Sequence, residues 1–214
     1  MTDLFRRGLV VGDTFHGQDM ANATIEDTHF VSCHFKYCQL FGAKIRNSSF
    51  DDCSFSFCSM SQSTWDNVTA IDLSMVSTNL FEVVIQHSDM TFLLEKSNLS
   101  RSQIVNSIIY GELWHSSVFS SVFFETDLSD LVVNNSYLNF SIFKTCLFPN
   151  KASSVAMDSI RIEDCKMGNV DLKSCSMKGS IVADTDMSQC TVSEKHMDRA
   201  RFMNSYMPAG LKSE

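Results

Sequence analysis

The fold is decided by residues 23–55, which read ATIEDTHFVSCHFKYCQLFGAKIRNSSFDDCSF. A bulky apolar residue occupies every fifth position of this stretch: Ile25, Phe30, Phe35, Leu40, Ile45, Phe50 and Phe55. A small residue comes two positions before each of them: Ala23, Thr28, Cys33, Cys38, Ala43, Ser48 and Cys53. A period of five fits neither an α-helix nor a flat strand. The stretch is therefore an array of short structural repeats.

The same period runs along almost the whole chain. Apolar centres fall on every multiple of five over Phe5–Met90, and the register then slips back by one residue between 90 and 94. The next predicted centres are Leu94, Leu99, Ile104, Ile109, Trp114 and Phe119. A second slip is predicted between 119 and 123, after which centres continue over Phe123–Phe148 and Met157–Met207. The repeat therefore organises nearly all of the 214 residues.

Several units share a form in which a small residue precedes Asp or Asn and then Leu or Met. Clear copies are Thr78-Asn79-Leu80, Ser88-Asp89-Met90, Ser97-Asn98-Leu99, Thr126-Asp127-Leu128, Val170-Asp171-Leu172 and Thr185-Asp186-Met187. In this form the chain resembles the pentapeptide-repeat proteins, although many units have Phe, Met or Ile at the centre. The resemblance implies an all-β fold: a right-handed, quadrilateral parallel β-helix with four units per coil, hence about ten coils.

Stacked coils would place residues 20 apart in the sequence above one another, at the roughly 4.8 Å spacing of paired strands. Phe15, Phe35 and Phe55 should then form an aromatic ladder, and Trp65 should lie over Ile45. In the last third, two methionine stacks should line opposite sides of the interior: Met157, Met177 and Met197 on one side, and Met167, Met187 and Met207 on the other. Methionine adapts well to an irregular interior of this kind.

We interpret residues 1–214 as a single β-helix domain. Residues 1–19 have the apolar centres without the small partner, which predicts an irregular first coil or cap. Pro149 removes a ladder donor, so residues 149–154 are predicted to form a short loop. The two register slips are shortened faces or outward loops, and the sequence does not choose between them.

The C-terminal end differs from a usual helix-capped end, because the tail at 208–214 is too short for a capping helix. A bare last coil would expose Met197, Phe202 and Met207 together with unpaired strand edges. We therefore expect a second copy of the chain to cover this end, making a homodimer through the C-terminal coil. A cap of local turns is the alternative.

All eight cysteines occupy the small position two residues before a centre: Cys33, Cys38, Cys53, Cys58, Cys146, Cys165, Cys175 and Cys190. Small buried residues are expected there, so the cysteines are interpreted as packing residues. Cys33 should stack near Cys53, and Cys38 near Cys58, within disulfide reach, but a cytoplasmic protein keeps them reduced. His29 and His34 should face outward while Cys33 and Cys38 face inward. These four residues therefore cannot converge on one ion, and no metal site is predicted.

No catalytic constellation accompanies the repeat. His16, His87, His115 and His196 are predicted to lie on different coils, and Gly8 and Gly12 are isolated rather than part of a phosphate-binding loop. The sequence therefore predicts no enzyme, no catalytic residues and no cofactor.

The charge is unevenly distributed along the chain. Seventeen Lys and Arg stand against 25 Asp and Glu, a net charge of −8. Residues 47–143 contain eleven acids against only Lys96 and Arg101. This imbalance disfavours direct binding to nucleic acid or to an anionic membrane. If each slip preserves one unit per face, six of the acids lie on one side of the rod: Asp51, Asp52, Asp72, Asp89, Asp127 and Asp130. That side is interpreted either as a solubilising surface or as a partner-binding face.

The resemblance also carries functional implications. Some pentapeptide-repeat proteins protect DNA gyrase and topoisomerase IV from quinolones or microcins by imitating DNA, which implies a topoisomerase-binding immunity or resistance factor. Two departures from that group are the missing C-terminal apolar helix and the missing long loops. The alternative is a bacterial secreted effector or scaffold that binds a host or cellular protein. The short apolar run after Arg6 and Arg7 does not form a signal peptide, so a cytoplasmic location is expected, with export as an effector left open.

Overall fold

The computed structural model describes residues 3–208 and Leu211, with side chains from Gly8 onward. Twenty strands and one short 3-10 helix, Glu194–His196, occur in this part of the chain. The first ten strands are β1 Asp3–Val11, β2 Thr14–His16, β3 Thr24–Val31, β4 His34–Lys36, β5 Lys44–Arg46, β6 Ser49–Asp51, β7 Ser54–Ser56, β8 Thr64–Asp66, β9 Thr69–Val76 and β10 Val84–Gln86. The others are β11 Asp89–Glu95, β12 Gln103–Val105, β13 Ile108–Trp114, β14 Val122–Phe124, β15 Leu131–Asn134, β16 Ile142–Lys144, β17 Lys151–Ser153, β18 Arg161–Glu163, β19 Ile181–Ala183 and β20 Arg201–Met203. Over the described residues, no helix is long and apolar enough to span a membrane.

Every pairing between these strands is parallel and joins a strand to one on an adjacent coil, so strands inside a ladder pair on both sides. The pairs form four ladders along the rod, which define its four faces in chain order. Face 1 contains the second half of β3, β6 and the first halves of β9, β11 and β13. Face 2 contains β2, β4, β7, the second halves of β9, β11 and β13, and then β15 and β17. Face 3 is a ladder of single bridges from Asp19 to Ser176. Face 4 contains the first half of β3 and then β5, β8, β10, β12, β14, β16, β18, β19 and β20. This all-β parallel solenoid of about ten coils is the pentapeptide-repeat β-helix that the sequence resembles.

The repeat unit explains the corners. Its centre points inward between two outward residues, as in β4, where Phe35 is buried between exposed His34 and Lys36. The residue two places after the centre turns the chain with a positive φ, for example 52° at Asp52 and 55° at Asn67. Asp and Asn tolerate this left-handed conformation better than most residues. The chain therefore changes direction every five residues, and each straight segment is only about three residues long.

Stacked rings fill the N-terminal half of the interior. The ring centroids of Phe15 and Phe35 are 4.7 Å apart, and those of Phe35 and Phe55 are 4.5 Å apart, which confirms the predicted ladder. Trp65 pairs with Ile45, as predicted. The two methionine stacks of the last third also lie on opposite faces: residues 157, 177 and 197 on face 3, and residues 167, 187 and 207 on face 1.

The small inward position also satisfies the backbone. Ser88 accepts a hydrogen bond from the Val68 N–H at 3.1 Å and donates to the Gln86 carbonyl at 2.8 Å. Cysteine does the same more weakly, since Cys53 Sγ accepts from the Cys33 N–H and donates to the Asp51 carbonyl at 3.3 Å. All eight cysteines are buried and free. The prediction of inward-facing packing cysteines is therefore confirmed.

The second register slip was placed wrongly by the sequence. Ile109 is followed by buried Leu113 and Val118, whereas Trp114 is half-buried and Phe119 is exposed. The slip therefore lies between 109 and 113, not between 119 and 123. The sequence does not determine this slip, because both residues of the pairs Leu113-Trp114 and Val118-Phe119 are apolar. Either residue of each pair could therefore be the centre of its unit.

Both slips are shortened faces rather than outward loops. At each slip the corner between face 1 and face 2 disappears, and β11 and β13 run straight for seven residues. Met90, Phe92 and Leu94 then alternate inward with a period of two, as in an ordinary strand. On β13 the matching inward position is Gly111, where an added Cβ would lie 2.0 Å from the Phe92 carbonyl oxygen. Each slip therefore removes one residue, and adjacent coils pair 19 residues apart there.

Two other expectations are only partly met. Within 149–154, predicted as a loop, residues 151–153 form β17, which pairs with β15. The departure from the ladder is thus limited to the residues around Pro149. In the first coil, β1 pairs with β3 in regular register after one shift between Asp3 and Phe5, and β2 pairs with β4. The predicted irregularity of residues 1–19 is confined to that shift within the described part.

Candidate functional site: the acidic face

All six predicted carboxylates lie on face 1. Asp51 ends β6 and pairs with Ile71, so Asp52 lies beside Asp72 on the next coil. Asp89 pairs with Ile108, which in turn pairs with Asp127, and Asp130 closes the same unit of the coil. We call these six residues the acidic face. The register slip at 90–94 does not scatter them, because each short coil loses a corner and keeps all four faces.

Three of the five other acids in residues 47–143 have a basic neighbour, and most of the acidic face does not. Asp66 lies 3.0 Å from His87, Glu82 lies 3.1 Å from Arg101, and Glu95 lies 2.8 Å from Lys96. Hydrogen bonding to His87 lowers the pKa of Asp66, and hydrogen bonding to Lys96 lowers the pKa of Glu95. On the acidic face, among the described residues, the contact with a basic side chain is that of His29 with Asp51 at 3.4 Å. No Lys or Arg side chain projects from the outward positions of face 1 between β6 and Asp130.

Local structure explains part of this acidity. Asp52 and Asp72 occupy corners with φ of 52° and 54°, where Asp is well tolerated. Asp52 also accepts a hydrogen bond from the Ser32 hydroxyl at 3.0 Å, and Asp127 accepts one from the Ser129 N–H at 2.9 Å. Asp72, Asp89 and Asp130 are exposed. Asparagine would serve equally at such corners, so the repeat requires neither the charge nor its concentration on one face.

The carboxylates of the acidic face affect the pKa of a neighbouring tyrosine. Tyr110 projects from β13 between the coils of Asp89 and Asp127. Burial raises the pKa of Tyr110, and the carboxylates of Asp127, Asp89 and Asp130 raise it further. The phenol is therefore held neutral and offers a hydrogen-bond donor amid negative charge.

The sequence did not single out the apolar part of this face. Ile71, 59% exposed, lies between Asp51 and the flat strands, and Tyr110 follows two coils later in the same column. On β13, the Trp114 indole N–H donates to Glu112 Oε2 at 2.6 Å. The signal that could have identified Tyr110 and Trp114 as outward residues is the period of two in 108–114, which marks a straight strand. The acidic face therefore combines carboxylates with aromatic and aliphatic side chains.

The C-terminal end has the second set of predicted contact residues. Met197 is buried, whereas Phe202 and Met207 are half-buried. A recess of about 830 Å³ lies at this end, lined by these three side chains and Leu211. The predicted tail at 208–214 lies outside the described residues except for Pro208 and Leu211. Whether the recess is covered by a second copy or by local turns remains a prediction.

The residues with metal-binding or catalytic chemistry do not converge within the described ranges. His29 and His34 are exposed, while Cys33 and Cys38 are buried behind the same wall. Over residues 3–208 and Leu211, no three His, Cys, Asp or Glu side chains are placed to share an ion. His16 belongs to face 2 and His87 to face 4, several coils apart.

Comparisons with known proteins add architecture only. No protein-family model and no curated protein sequence matches the chain. Among solved structures, it is similar to HetL, a pentapeptide repeat protein involved in heterocyst differentiation regulation from the cyanobacterium Nostoc sp. strain PCC 7120, with 11% identity, 96% and 92% of the two chains covered and a TM-score of 0.35. It is also similar to QnrB1, a plasmid-mediated fluoroquinolone resistance protein, with 12% identity, 88% and 92% coverage and a TM-score of 0.37. A GH87 α-1,3-glucanase catalytic domain matches with 9% identity, 88% and 49% coverage and a TM-score of 0.36. At such values the likeness concerns coiled β architecture alone.

Proposed function

We propose that this chain is a non-catalytic protein-binding rod whose acidic face occupies a cationic groove that otherwise holds duplex DNA. DNA gyrase and topoisomerase IV are the first partners to test, because the sequence resembles pentapeptide-repeat proteins. Binding there would protect the enzyme from a toxin or antibiotic that acts on its DNA complex. The observation that carries the proposal is the concentration of six carboxylates, without a Lys or Arg between them, on one face of a straight parallel ladder.

The spacing of these charges supports a DNA-like surface. The acidic face covers five coils, or four intervals, and is therefore about 19 Å long at sheet spacing. Six carboxylates over this length give about one charge per 3 Å, close to the phosphate spacing of roughly 3.4 Å along one DNA strand. A rigid ladder also holds the charges without an ordering cost on binding. The linear charge density of this face therefore matches that of one DNA strand, to which such a groove is complementary.

A supercoiling assay with purified gyrase, with and without a poison, tests the proposal. The unmodified protein should protect or inhibit gyrase at low micromolar concentration, and Asp72→Lys/Asp89→Lys should abolish the effect because it reverses charge at the centre of the face. Asp19→Lys/Asp198→Lys is the matched control, since it changes the net charge equally at exposed positions of face 3, opposite the acidic face. Loss of effect in both double variants would indicate a non-specific charge effect and contradict the proposal.

Binding should also weaken with salt, since it replaces counterions at a charged groove. If the unmodified protein neither binds gyrase nor topoisomerase IV at low salt, the topoisomerase assignment is wrong. Recovery of a host or cellular protein without a DNA-binding groove through the same face would instead support the effector or scaffold alternative.

A further inference from the structure

Face 4 has an apolar surface that the acidic face does not explain. The outward side chains at its middle are Val105, Val122, Phe124 and Ile142. Ile142 is 36% exposed, and beside it, at the corner with face 3, Phe119 and Phe140 are 42% and 55% exposed. Their ring centroids are 5.2 Å apart in an edge-on arrangement. At the corresponding outward bridges of face 3 the chain has mainly Gln, Ser and Asn.

Contiguous exposed apolar surface of this kind marks an interaction site on a folded protein. The charged side chains at the boundary of this surface form ion pairs with one another. Lys144 Nζ lies 3.7 Å from Glu163 Oε2, and the Arg161 Nε–H donates to Glu163 Oε1 at 2.6 Å. An apolar middle with an ion-paired rim is the usual anatomy of a protein–protein interface.

We propose that a second copy of this chain binds on face 4, with the two rods parallel and related by a two-fold axis along their length. Such an axis places the first residue of each face-4 strand opposite the third residue of the same strand in the other copy. Val122 then meets Phe124 of the partner subunit, and Arg161 meets Glu163 of the partner subunit. The Val122 and Phe124 row is apolar on both sides, Ile142 meets the aliphatic stem of Lys144 of the partner subunit, and the row of Arg161 and Glu163 meets its opposite charge.

The reverse orientation is less favourable. With the rods antiparallel about the β16 row, β18 would lie on β14 of the other copy, so Arg161 would face Val122 and Glu163 would face Phe124. Arg161 and Glu163 would keep their pair within each copy but would meet only apolar side chains across the contact, and Lys144 would meet Lys144 of the partner subunit, whose like charge repels it. The distribution of charge within face 4 therefore selects the parallel arrangement.

Each copy has a net charge of −8, and the parallel arrangement keeps the acidic faces of the two copies apart. Face 1 adjoins face 4 on one side, so the two-fold axis turns the two acidic faces in opposite directions and leaves both free. At the N-terminal end the same axis would bring Lys44 towards Arg46 of the partner subunit. Packed sheets cross at about 30°, which separates the rods there and confines contact to the middle coils.

The size of the contact sets its strength. The contact would involve five strands of face 4: β12, β14, β16, β18 and β19. At sheet spacing they cover about 19 Å of the rod. An interface of this length belongs to the small, transient class. The dimer should therefore appear by sedimentation velocity only at roughly tens of micromolar protein or above.

Variants separate this contact from the others considered above. Ile142→Arg should raise the dimer dissociation constant at least about tenfold, because it inserts charge at the apolar middle. Glu163→Arg should weaken the dimer similarly, and the swap Arg161→Glu/Glu163→Arg should restore it, because the swap preserves both the internal and the intermolecular pairs. Phe57→Arg, at an exposed aromatic residue on face 2, is the matched control and should leave the dimer unchanged.

Three results would overturn the proposal. The first is a protein that remains monomeric at about 100 μM, well above the range expected for weak interfaces. The second is a dimer that survives Ile142→Arg. The third is a dimer that Phe202→Glu abolishes while Ile142→Arg does not, which would place the contact at the C-terminal recess. Circular dichroism of each variant shows that loss of association does not reflect loss of fold.

Discussion

The coils of residues 23–75 and those of residues 89–113 bury their apolar centres in the same interior but pass from face 1 to face 2 in different ways. In the first region every unit has five residues and a left-handed corner, and stacked phenylalanine centres fill the interior behind faces 1 and 2. In the second, one residue is missing at the same place on two successive coils, and β11 and β13 run straight. Removing one residue therefore removes a corner rather than shifting a face, because the chain falls back on the two-residue period of an ordinary strand.

This difference also changes the surface. A regular corner separates the outward residues of adjacent faces. A straight strand instead places them side by side on one continuous flat surface. One such flat surface, at the edge of the acidic face, consists of Tyr110, Glu112 and Trp114. The short coils thus broaden the candidate binding surface without disturbing the stacking of the six carboxylates. The following predictions test this contrast, from the largest effect to the smallest.

Gly111 should be the most sensitive position of the short coils. Its φ is 102°, and a Cβ there would lie 2.0 Å from the Phe92 carbonyl oxygen. Gly111→Ala should lower the free energy of unfolding by about 3–6 kcal/mol, from backbone strain and overpacking together. Urea denaturation measures this change. Gly17→Asn is the matched control, because Gly17 has φ of 63° in open space, and a loss there of similar size would contradict the role given to the clash.

Phe35 should be the corresponding key residue of the regular coils. It stacks between Phe15 and Phe55, so Phe35→Ala should cost about 3–5 kcal/mol in the free energy of unfolding. The exposed neighbour Lys36 provides the control, and Lys36→Ala should change the same quantity by less than about 0.5 kcal/mol. Equal costs at the two positions would contradict the inward and outward alternation of the unit.

Leu113 and Trp114 decide the register of the second slip. Leu113 is buried on face 2 between Leu94 and Val133, so Leu113→Ala should cost about 2–5 kcal/mol by urea denaturation. Trp114 is half-buried on the outside, and Trp114→Ala should cost less than about 1.5 kcal/mol. The reverse order would restore the register expected from the sequence, with its slip at 119–123.

The cysteines of the regular coils should be chemically silent. Burial raises the pKa of Cys53 and of Cys58 to about 11 each, so neither is a thiolate near neutrality. A thiol reagent at pH 8 should find almost no reactive cysteine in the folded protein and all eight after unfolding. Rapid labelling of the native protein would show that these thiols do not face the interior.

The smallest expected effect concerns pH. The pKa of Asp66 is lowered chiefly by its hydrogen bond with His87. A lowered carboxyl pKa contributes stability above its unfolded pKa and loses it as pH falls through the folded pKa. His87→Gln should therefore reduce the loss of stability between pH 6 and pH 3, slightly because the pair is exposed. Urea midpoints at the two pH values measure the change, and an identical loss in both proteins would contradict it.

The sequence predicts the five-residue coil, the aromatic ladder and the inward cysteines because each depends on one repeated local rule. It could place the acidic face because Asp52 and Asp72 are related by the coil length alone. It could not locate the second slip, since Leu113 and Trp114 are both apolar and only burial distinguishes them. It could not identify Tyr110, because its neighbours Asp89 and Asp127 become adjacent only when coils 19 residues long are stacked.

Disulfide trapping of engineered cysteine pairs tests the stacking register, on which the placement of every surface residue depends. Thr64→Cys/Val84→Cys, 20 residues apart in the regular coils, and Val84→Cys/Gln103→Cys, 19 apart across the first short coil, should both cross-link rapidly because each pair is in direct register. Val84→Cys/Val105→Cys, offset along the strand, should cross-link far more slowly. If the offset pair links as fast as the in-register pairs, or the pair 19 apart does not link, the coil lengths described here are wrong and the acidic face does not exist as a single surface.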